Sequence, residues 1–303
     1  AKHLPESLSC TYLTNSGTEA IEGAMKLAKR ATGKSQFIAA KNAYHGSTQG
    51  AMSIMGFEER KSAYRPLLPG IEYIGFNNDE DLLKIGTKTA AVVLETIQGG
   101  AGFIIPKNGY LRKVKKRCEE VGALLILDEI QPGMGRTGKL FAFETFGIVP
   151  DILVMGKGLG GGFPIGAFST SPALMKLIQT DPILGHITTF GGHPVIASAA
   201  LATLQQITGG RLMKETLQKE QLFRQLLVHD RIQEIRGMGL MLALILPDAE
   251  TANQLVLRCL DKGLILFWLL FEKKAVRITP PLTLSEKEIR EGCNILLSVL
   301  DEL

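Results

Sequence analysis

The chain has 303 residues, of which 45% are hydrophobic and 21% are charged, an ordinary balance for a soluble globular protein large enough for two domains. Its 34 basic and 30 acidic residues give a net charge of +4 and are mixed along the chain, which argues against nucleic-acid or membrane-surface binding. No apolar run is long enough to span a bilayer, and no signal-peptide pattern opens the sequence. The four cysteines form no C-x-x-C pair, which we interpret as inert thiols of a cytoplasmic protein.

Short apolar runs alternate with amphipathic stretches through the first two-thirds of the chain. A helical period over Thr18–Thr32 ends at Gly33, a residue type that often caps the C-terminus of a helix. The continuous apolar run Ala123–Leu127 is typical of a strand in a parallel sheet that is covered on both faces. Further strands are predicted over 10–13, 36–40, 90–95 and 151–155, and a helix over 110–121. This alternation predicts an α/β fold with helices on both sides of a mostly parallel sheet.

The pattern changes after a helix predicted over 194–206. Ser285 and Glu288 have the spacing of a capping box at the start of a last helix. The longest apolar run, Leu264–Phe271, predicts a buried strand. Helices over 213–227 and 249–262 alternate with strands around 232–236, 240–246, 264–266 and 276–278. We therefore expect a large domain over residues 1–207 and a smaller α+β domain over 208–303.

One glycine loop matches a nucleotide-binding pattern without its context. Gly156–Gly161 reads G-x-G-x-x-G and follows a predicted strand. A dinucleotide site requires a helix to begin there, whereas the next seven residues, Gly162–Phe168, cannot start a regular helix. The segment Gly33-Lys34-Ser35 also lacks the first glycine of a phosphate-binding P-loop. Nucleotide binding is therefore disfavoured, and the lysine inside the glycine loop needs another explanation.

Asp128 ends one predicted strand and Lys157 follows the end of another. If these strands are parallel, both side chains project at the edge of the sheet where α/β proteins bind ligands. A lysine amine can form a Schiff base with the aldehyde of pyridoxal 5′-phosphate (PLP). An aspartate can keep the pyridine nitrogen protonated, because a nearby anion favours the charged form. Taken alone, the two residues could also be an ordinary surface ion pair.

The segment Asn15–Glu19 lies between a predicted strand and a predicted helix. The backbone N–H groups of Gly17 and Thr18 would then stand at a helix N-terminus, which is a natural site for a phosphate. The segment could also be a plain N-cap in which Ser16 or Thr18 serves only the helix.

A set of motifs follows in order along nearly the whole chain. It consists of Asn15–Ala20, Tyr44-His45-Gly46, Glu95–Gly99, Asp128–Gln131 with Gly133–Gly138, Lys157, Thr188–Gly192 and Arg277 before Pro280-Pro281-Leu282. This set resembles the class III aminotransferases of PLP fold type I, which include ornithine, acetylornithine and γ-aminobutyrate aminotransferases. The resemblance implies PLP-dependent transfer of an amino group from an amino acid to a 2-oxo acid such as 2-oxoglutarate or pyruvate. The donor would be ornithine-like, acetylornithine-like or another amino acid.

The resemblance also implies a role for each motif residue. Lys157 and Asp128 would be the catalytic pair, with Lys157 moving a proton between substrate and cofactor. Arg277 would clamp a substrate carboxylate, and Thr189 would reach the phosphate of the neighbouring subunit's cofactor in a homodimer. The other cofactor contacts would be Ser16, Gly17 and Thr18 at the phosphate, Tyr44 and Ile130 on the two ring faces, and Gln131 near the ring hydroxyl. No metal-ligand spacing is present, and His45, His186 and His193 are interpreted as structural.

The sequence departs from this family in two respects. Family members run about a hundred residues longer at the N-terminus, so we expect either a longer native chain or a fragment. The motif that begins at Glu95 normally carries a proline next and a second glutamate five residues on, where this chain has Thr96 and Gly100. In ornithine and γ-aminobutyrate aminotransferases that glutamate resembles a switch that neutralises the carboxylate-binding arginine. Without it, we expect Arg277 to stay free for substrate carboxylates in both half-reactions.

Two other functions remain open from the sequence. An aminomutase or racemase could use the same site to return the proton or the amine elsewhere on the substrate. A non-catalytic scaffold could have kept the fold, although the presence of Asp128 and Lys157 argues against it.

Overall fold

The computed structural model describes residues 2–303, which form two β-sheets with helices packed against them. The strands of the larger sheet are β1 (Cys10–Thr14), β2 (Gln36–Ala40), β3 (Ile71–Ile74), β4 (Thr89–Glu95), β5 (Leu124–Asp128), β6 (Ile152–Met155) and β7 (Gly166–Thr170). They lie side by side in the order β1-β7-β6-β5-β4-β2-β3. β7 runs antiparallel to both of its neighbours, and the pairs from β6 through β3 are parallel. The predicted α/β fold with a mostly parallel sheet is confirmed.

Apolar clusters cover both faces of this sheet. The helices are α1 (Gly17–Thr32), α2 (Gln49–Ser53), α3 (Tyr110–Val121), α4 (Phe143–Phe146), α5 (Pro172–Lys176), α6 (Pro194–Gly209), α7 (Leu212–Leu226), α8 (Ala249–Asp261) and α9 (Glu286–Asp301). All seven residues of β4 are buried, and alternate strand residues such as Val92 and Val93 belong to clusters on opposite faces. The central strands are thus covered on both sides, as their continuous apolar sequences predict.

The start of α1 follows from its local sequence. The Ser16 side chain accepts a hydrogen bond from the Glu19 backbone N–H and caps the helix. At the other end, Gly33 adopts the left-handed conformation, with φ of 68°, that glycine tolerates without steric cost. The helix therefore begins at the point where β1 ends, with its N-terminus beside the carboxyl ends of β5 and β6.

The second sheet lies in the C-terminal part of the chain. Its four antiparallel strands, β8 (Glu234–Met238), β9 (Met241–Ile245), β10 (Phe267–Trp268) and β11 (Ala275–Ile278), are ordered β10-β11-β9-β8. Helices α7, α8 and α9 share a separate apolar cluster with this sheet. The predicted capping box at Ser285 and Glu288 is confirmed. We keep the domain boundary at residue 208 as a proposal, supported by the contacts of α6 with the 157–160 turn and of α7 with α9.

One prediction about this part of the chain was wrong. The apolar run Leu264–Phe271 is not a buried strand, because β10 spans two residues and both are exposed. Leu264 and Leu266 pack against the C-terminal apolar cluster, whereas Leu269 packs in a cluster between the sheets. The run is apolar because it serves two separate clusters, and its end, Leu269–Phe271, becomes a loop over the large sheet.

Within residues 2–303, the helices are too short or too polar to traverse a bilayer.

Candidate active site

A cavity of about 430 Å³ lies at the carboxyl edge of the large sheet. Asp128 at the end of β5 and Lys157 after β6 both line it, because these two strands are parallel and end together. The other predicted residues in its lining are Gly17, Thr18, Tyr44, Ile130, Gln131 and Arg277. Eight sequence-predicted residues thus meet in one cavity, as expected for ligand sites in α/β sheets.

Asp128 is buried and held by two hydrogen bonds. Its Oδ1 accepts from the Ile130 backbone N–H at 2.9 Å, and its Oδ2 lies 2.9 Å from Nδ1 of His45. His45 is also buried, and its Nε2 has no partner within the described chain. Burial lowers the pKa of His45, but the hydrogen bond and charge of Asp128, with the charge of Glu95, outweigh it and raise the pKa. These two contacts fix the orientation of the Asp128 carboxylate in the lining of the cavity.

Lys157 stands in an unusual backbone conformation. Its φ is +41°, in the left-handed region that non-glycine residues seldom adopt, and it begins the short 3-10 turn Lys157–Gly160. Within residues 2–303, its amine makes neither a hydrogen bond nor an ion pair, and the side chain is exposed to the cavity. Strain of this kind persists where the surrounding structure enforces it, and it concentrates at functional sites.

The N-terminus of α1 forms one wall of the cavity. Gly17 lies so close to Ile130 that a Cβ at this position would come within 2.6 Å of the Ile130 Cδ1 atom. The Thr18 Oγ1 is 2.8 Å from the Thr48 Oγ1. Ser16 caps the helix and does not line the cavity, so its role at the cofactor stays a prediction. The first N–H groups of a 16-residue helix, free of side-chain cover at glycine, form a suitable phosphate cradle.

Tyr44 and Gln131 complete the walls around the Asp128 carboxylate. The Tyr44 hydroxyl is 2.9 Å from the Ser47 Oγ, and its backbone N–H donates to Glu95 Oε2 at 3.3 Å. A Cβ on Gly99 would lie 2.6 Å from the Gln131 Oε1, so a larger residue here would displace the Gln131 side-chain amide.

Glu95 is a site residue for which the sequence predicted no role. It is the Cα partner of Asp128 across β4 and β5, and its Oε1 also accepts from the Gly99 N–H at 2.9 Å. Burial raises the pKa of Glu95 to about 7, and the Asp128 charge acts in the same direction, whereas His45 and the two N–H donors oppose it. The sequence feature that could have identified Glu95 is its position at the end of a buried strand, next to the strand that carries Asp128.

Arg277 is half-buried and approaches the cavity from β11 of the second sheet. Its Nε and Nη2 both donate to the Trp268 backbone oxygen, at 3.2 and 3.0 Å, and its guanidinium carbon lies 5.9 Å from the Phe267 ring centroid. Within the described chain, no carboxylate lies within 4 Å of this guanidinium. A backbone carbonyl leaves the arginine's charge uncompensated, so it can receive an anionic ligand.

Gly100, the departure from the family motif, lies against the loop after β10. A Cβ here would come within 2.8 and 2.9 Å of two carbons of the Phe271 ring, and the Phe271 N–H donates to the Gly100 oxygen at 2.9 Å. Phe271 in turn stacks on Phe57, with ring centroids 4.6 Å apart. The space beside residue 100 is therefore filled by an aromatic side chain.

Thr189, like Ser16, is a predicted site residue that lies outside the cavity lining. It is exposed, in the segment between α5 and α6. His186 and His193 also lie outside the lining; His193 caps α6 by accepting from the Val195 N–H at 3.3 Å.

The cavity offers what PLP requires of a protein. It has a buried, oriented carboxylate, a lysine without a partner among residues 2–303, and a helix N-terminus, three groups that suit a pyridine nitrogen, an aldehyde and a phosphate. Tyr44 and Ile130 border the space between them. Such a fold and site define a PLP-dependent enzyme of the fold type I class.

Comparison with known proteins identifies the family. The model of the class-III aminotransferase family matches residues 1–300, so the chain belongs to this family of PLP-dependent transaminases. Solved structures of ornithine aminotransferase from Toxoplasma gondii are 29% identical, with TM-scores of 0.90 and 0.91. The match covers 98% of this chain and 74% or 75% of theirs, and one of them contains PLP at partial occupancy.

Two further solved structures are similar. An aminotransferase from Bacillus anthracis is 27% identical over 97% of this chain and 76% of its own, with a TM-score of 0.89. An engineered variant of the omega transaminase PjTA-R6 is 28% identical over 99% of this chain and 77% of its own, with a TM-score of 0.90. The expected amino-group transfer and PLP dependence are thereby confirmed; the substrate is not identified by these similarities.

Proposed function

We propose that this class III aminotransferase moves an amino group between substrates that present a carboxylate to Arg277 in both half-reactions. The observation that supports this proposal is the set of contacts made by the Arg277 guanidinium. Its guanidinium has a backbone oxygen as its polar contact, and Gly100 supplies no carboxylate to neutralise it. Phe271 fills the space beside Gly100, so the cation stays available whichever substrate enters.

The proposed roles of the other residues follow from their contacts. PLP, when bound, supplies an electron-withdrawing ring next to the reacting carbon. Asp128, oriented by His45 and the Ile130 N–H, would hold a proton at the ring nitrogen. Lys157 would carry the α-proton away from the substrate carbon and return it, since its amine has no competing partner in the described part of the chain.

The remaining contacts would fix the ring. Gly17 and Thr18 would bind the phosphate through the N-terminus of α1, with Ser16 shaping that terminus. Tyr44 and Ile130 would cover the two ring faces, and Gln131 would lie near the ring hydroxyl.

A homodimer is part of this proposal. The segment that carries Thr189 leaves several large apolar side chains exposed, and α6 continues this surface. The exposed residues are Ile183, Leu184, Ile187, Phe190, Val195 and Leu201. A group of exposed apolar side chains of this size indicates a protein interface. A partner subunit on this surface would lie beside Thr189, which supports its proposed contact with the neighbouring cofactor's phosphate.

A reducing compartment such as the cytoplasm is also proposed. All four cysteines are free. Burial raises the pKa of Cys118 to about 12 and of Cys259 and Cys293 to about 11, which keeps these thiols unreactive.

The test combines cofactor trapping with a donor screen. Wild-type protein with PLP should absorb near roughly 410–430 nm through the lysine-linked cofactor, and borohydride should fix the label in wild type but not in Lys157→Ala. Glutamate or alanine should then be a donor, whereas a diamine without a carboxylate should be poor. Equal turnover of the diamine would overturn the role of Arg277. Racemised or rearranged substrate without net transfer to a 2-oxo acid would favour the racemase or aminomutase, and a folded chain that binds no PLP would favour the scaffold.

A further inference from the structure

Arg277 and Lys157 reach the active-site cavity from different sheets. Lys157 follows β6 of the large sheet, whereas Arg277 lies on β11 of the second sheet. A substrate whose carboxylate binds Arg277 therefore meets the Lys157 amine correctly only if the second sheet is held in one position against the large sheet. A misplacement of about 1 Å can lower a reaction rate by roughly a hundredfold. Contacts that join the two sheets can thus control how the substrate is placed.

Arg136 makes such a contact. It belongs to the glycine-rich segment Gly133–Gly138, which follows the cavity residue Gln131. Its Nη1 donates to the Leu240 backbone oxygen at 3.2 Å and also to the Pro280 backbone oxygen. In the opposite direction, the Leu240 N–H donates to the Arg136 backbone oxygen at 2.9 Å. One residue of the loop after β5 thus binds two segments of the C-terminal part of the chain.

The two segments that Arg136 binds are the adjoining ends of β9 and β11. β9 begins directly after Leu240, and β11 ends at Ile278, two residues before Pro280. The two strands are antiparallel and paired, so the start of one lies beside the end of the other. Arg277 is the next-to-last residue of β11. The strand end that presents Arg277 to the cavity is therefore the one that Arg136 holds.

The turn between β8 and β9 fits closely against the Arg136 backbone. A Cβ on Gly239 would lie 2.5 Å from the Arg136 oxygen and 2.7 Å from the Thr137 Cα. Gly239 also has a φ of +61°, in the left-handed region that glycine adopts without steric cost. The turn can therefore approach the loop as closely as the hydrogen bonds of Arg136 require.

We propose that Arg136 is a positioning residue for the substrate carboxylate: by joining the ends of β9 and β11 to the loop after β5, it sets the place of Arg277 relative to Lys157. This inference rests on the proposed function, in which Arg277 binds a substrate carboxylate. Arg136, Lys157 and Arg277 also line a common cavity of about 310 Å³. Direct contact between Arg136 and the substrate is therefore the alternative that the experiments have to separate.

The kinetic test compares Arg136→Met with wild type in the PLP-loaded enzyme. Methionine keeps an apolar stem and removes the donors, so the KM for glutamate and 2-oxoglutarate should rise by about tenfold or more, the size expected when a charged hydrogen-bonded contact is lost. The affinity for PLP and the turnover of a diamine without a carboxylate should stay unchanged, although a general loss of structure would lower both. Arg136→Lys keeps a charged donor and should recover part of the loss.

Lys219→Met is the matched control. Lys219 is also a buried cation that donates to a backbone oxygen, that of Leu282 at 2.6 Å. Both of these residues lie in the C-terminal part of the chain, so this contact does not join the two sheets. The control should lower the free energy of unfolding without raising the KM for glutamate or 2-oxoglutarate.

A double-mutant cycle separates positioning from direct contact. Calorimetric titration of the PLP-loaded enzyme with pentanoate measures carboxylate binding without turnover. Arg136→Met should weaken this binding in wild type but cause no further loss in the Arg277→Gln background, because it acts through Arg277. Arg136→Lys allows the same comparison if the methionine variant does not fold.

Three results would overturn the positioning role: unchanged pentanoate binding in Arg136→Met, a further loss in the Arg277→Gln background, or equal losses for the diamine and for the carboxylate substrates. Failure of the proposed function looks different, because Arg277→Gln would then leave the KM of both carboxylate substrates unchanged.

Discussion

Replacing Gly100 with alanine should destabilise the protein through a contact that the structure defines closely. The added Cβ would lie 2.8 and 2.9 Å from the Cδ2 and Cε2 atoms of Phe271, and contacts below 3.0 Å force a displacement. Phe271 cannot yield freely, because its ring stacks on Phe57 and its N–H is bonded to the Gly100 oxygen. Overpacking of this kind costs about 1–3 kcal/mol, and we expect Gly100→Ala to lower the free energy of unfolding by that amount.

A double-mutant cycle isolates this contact from other effects. Phe271→Ala alone should cost about 1–3 kcal/mol, less than for a fully buried phenylalanine, because Phe271 is half-buried. In the double variant the new methyl group enters the vacated space, so its destabilisation should fall short of the sum by about 1–2 kcal/mol. Urea unfolding of the PLP-loaded protein measures each value through a midpoint shift at constant m. Additivity within about 0.5 kcal/mol would refute the steric argument.

Positions 100 and 271 also allow a test of whether the missing glutamate at residue 100 affects Arg277. Gly100→Glu in the Phe271→Ala background introduces a carboxylate into the lining that also contains Arg277. If this carboxylate neutralises the guanidinium, the KM for α-carboxylate substrates should rise and a simple diamine should become a better donor. An unchanged ratio of the two donors would show that residue 100 does not control Arg277.

Two further predictions concern the buried glutamates and the assembly state. Burial raises the pKa of both Glu95 and Glu129 to about 7, so each favours the folded state below its unfolded pKa near 4.5 and loses this contribution as pH rises to 7. The free energy of unfolding of wild type should decrease between pH 5 and 8. Glu95→Gln and Glu129→Gln should each make this decrease smaller, by up to about 3 kcal/mol, as measured by urea unfolding. Glu129 accepts from Thr96, Ala142 and Phe143 and does not line the cavity, so only the Glu95 variant should also change the circular dichroism of bound PLP; an equal change in both would contradict this. Wild type should sediment as a dimer, and Phe190→Glu should weaken it, whereas a monomeric wild type would oppose the assigned interface.

Local sequence signals were sufficient for most elements of the fold. Helix α1 has an N-cap serine and a C-terminal glycine, so local residues specify both of its ends. The capping box specifies the start of α9. Strand β3 was missed because it lies at the sheet edge, where its residues alternate in exposure and include Glu72. Strand β7 was missed because Gly166 and Ser169 weaken the apolar signal, although all five of its residues are buried.

The site was predictable to the extent that it depends on strand ends. Asp128 and Lys157 follow two parallel strands, and the topology of the sheet alone brings them together. The partners of these residues depend on loop conformation, which periodicity does not encode. The contact of His45 with Asp128 joins residues 83 positions apart, and the hydrogen bonds of Glu95 join two separate loops. The position of Phe271 beside Gly100 was also not predictable, since the apolar run that contains Phe271 resembles a buried strand.

The charged groups of the active-site lining differ in whether they already have partners. Asp128 and Glu95, the acids of the active-site lining, are engaged by His45 and by backbone N–H groups. Arg277, in contrast, lacks a carboxylate partner within residues 2–303. A substrate that presents a carboxylate to the cavity would therefore meet attraction at Arg277, whereas a donor without a carboxylate would leave this guanidinium unpaired.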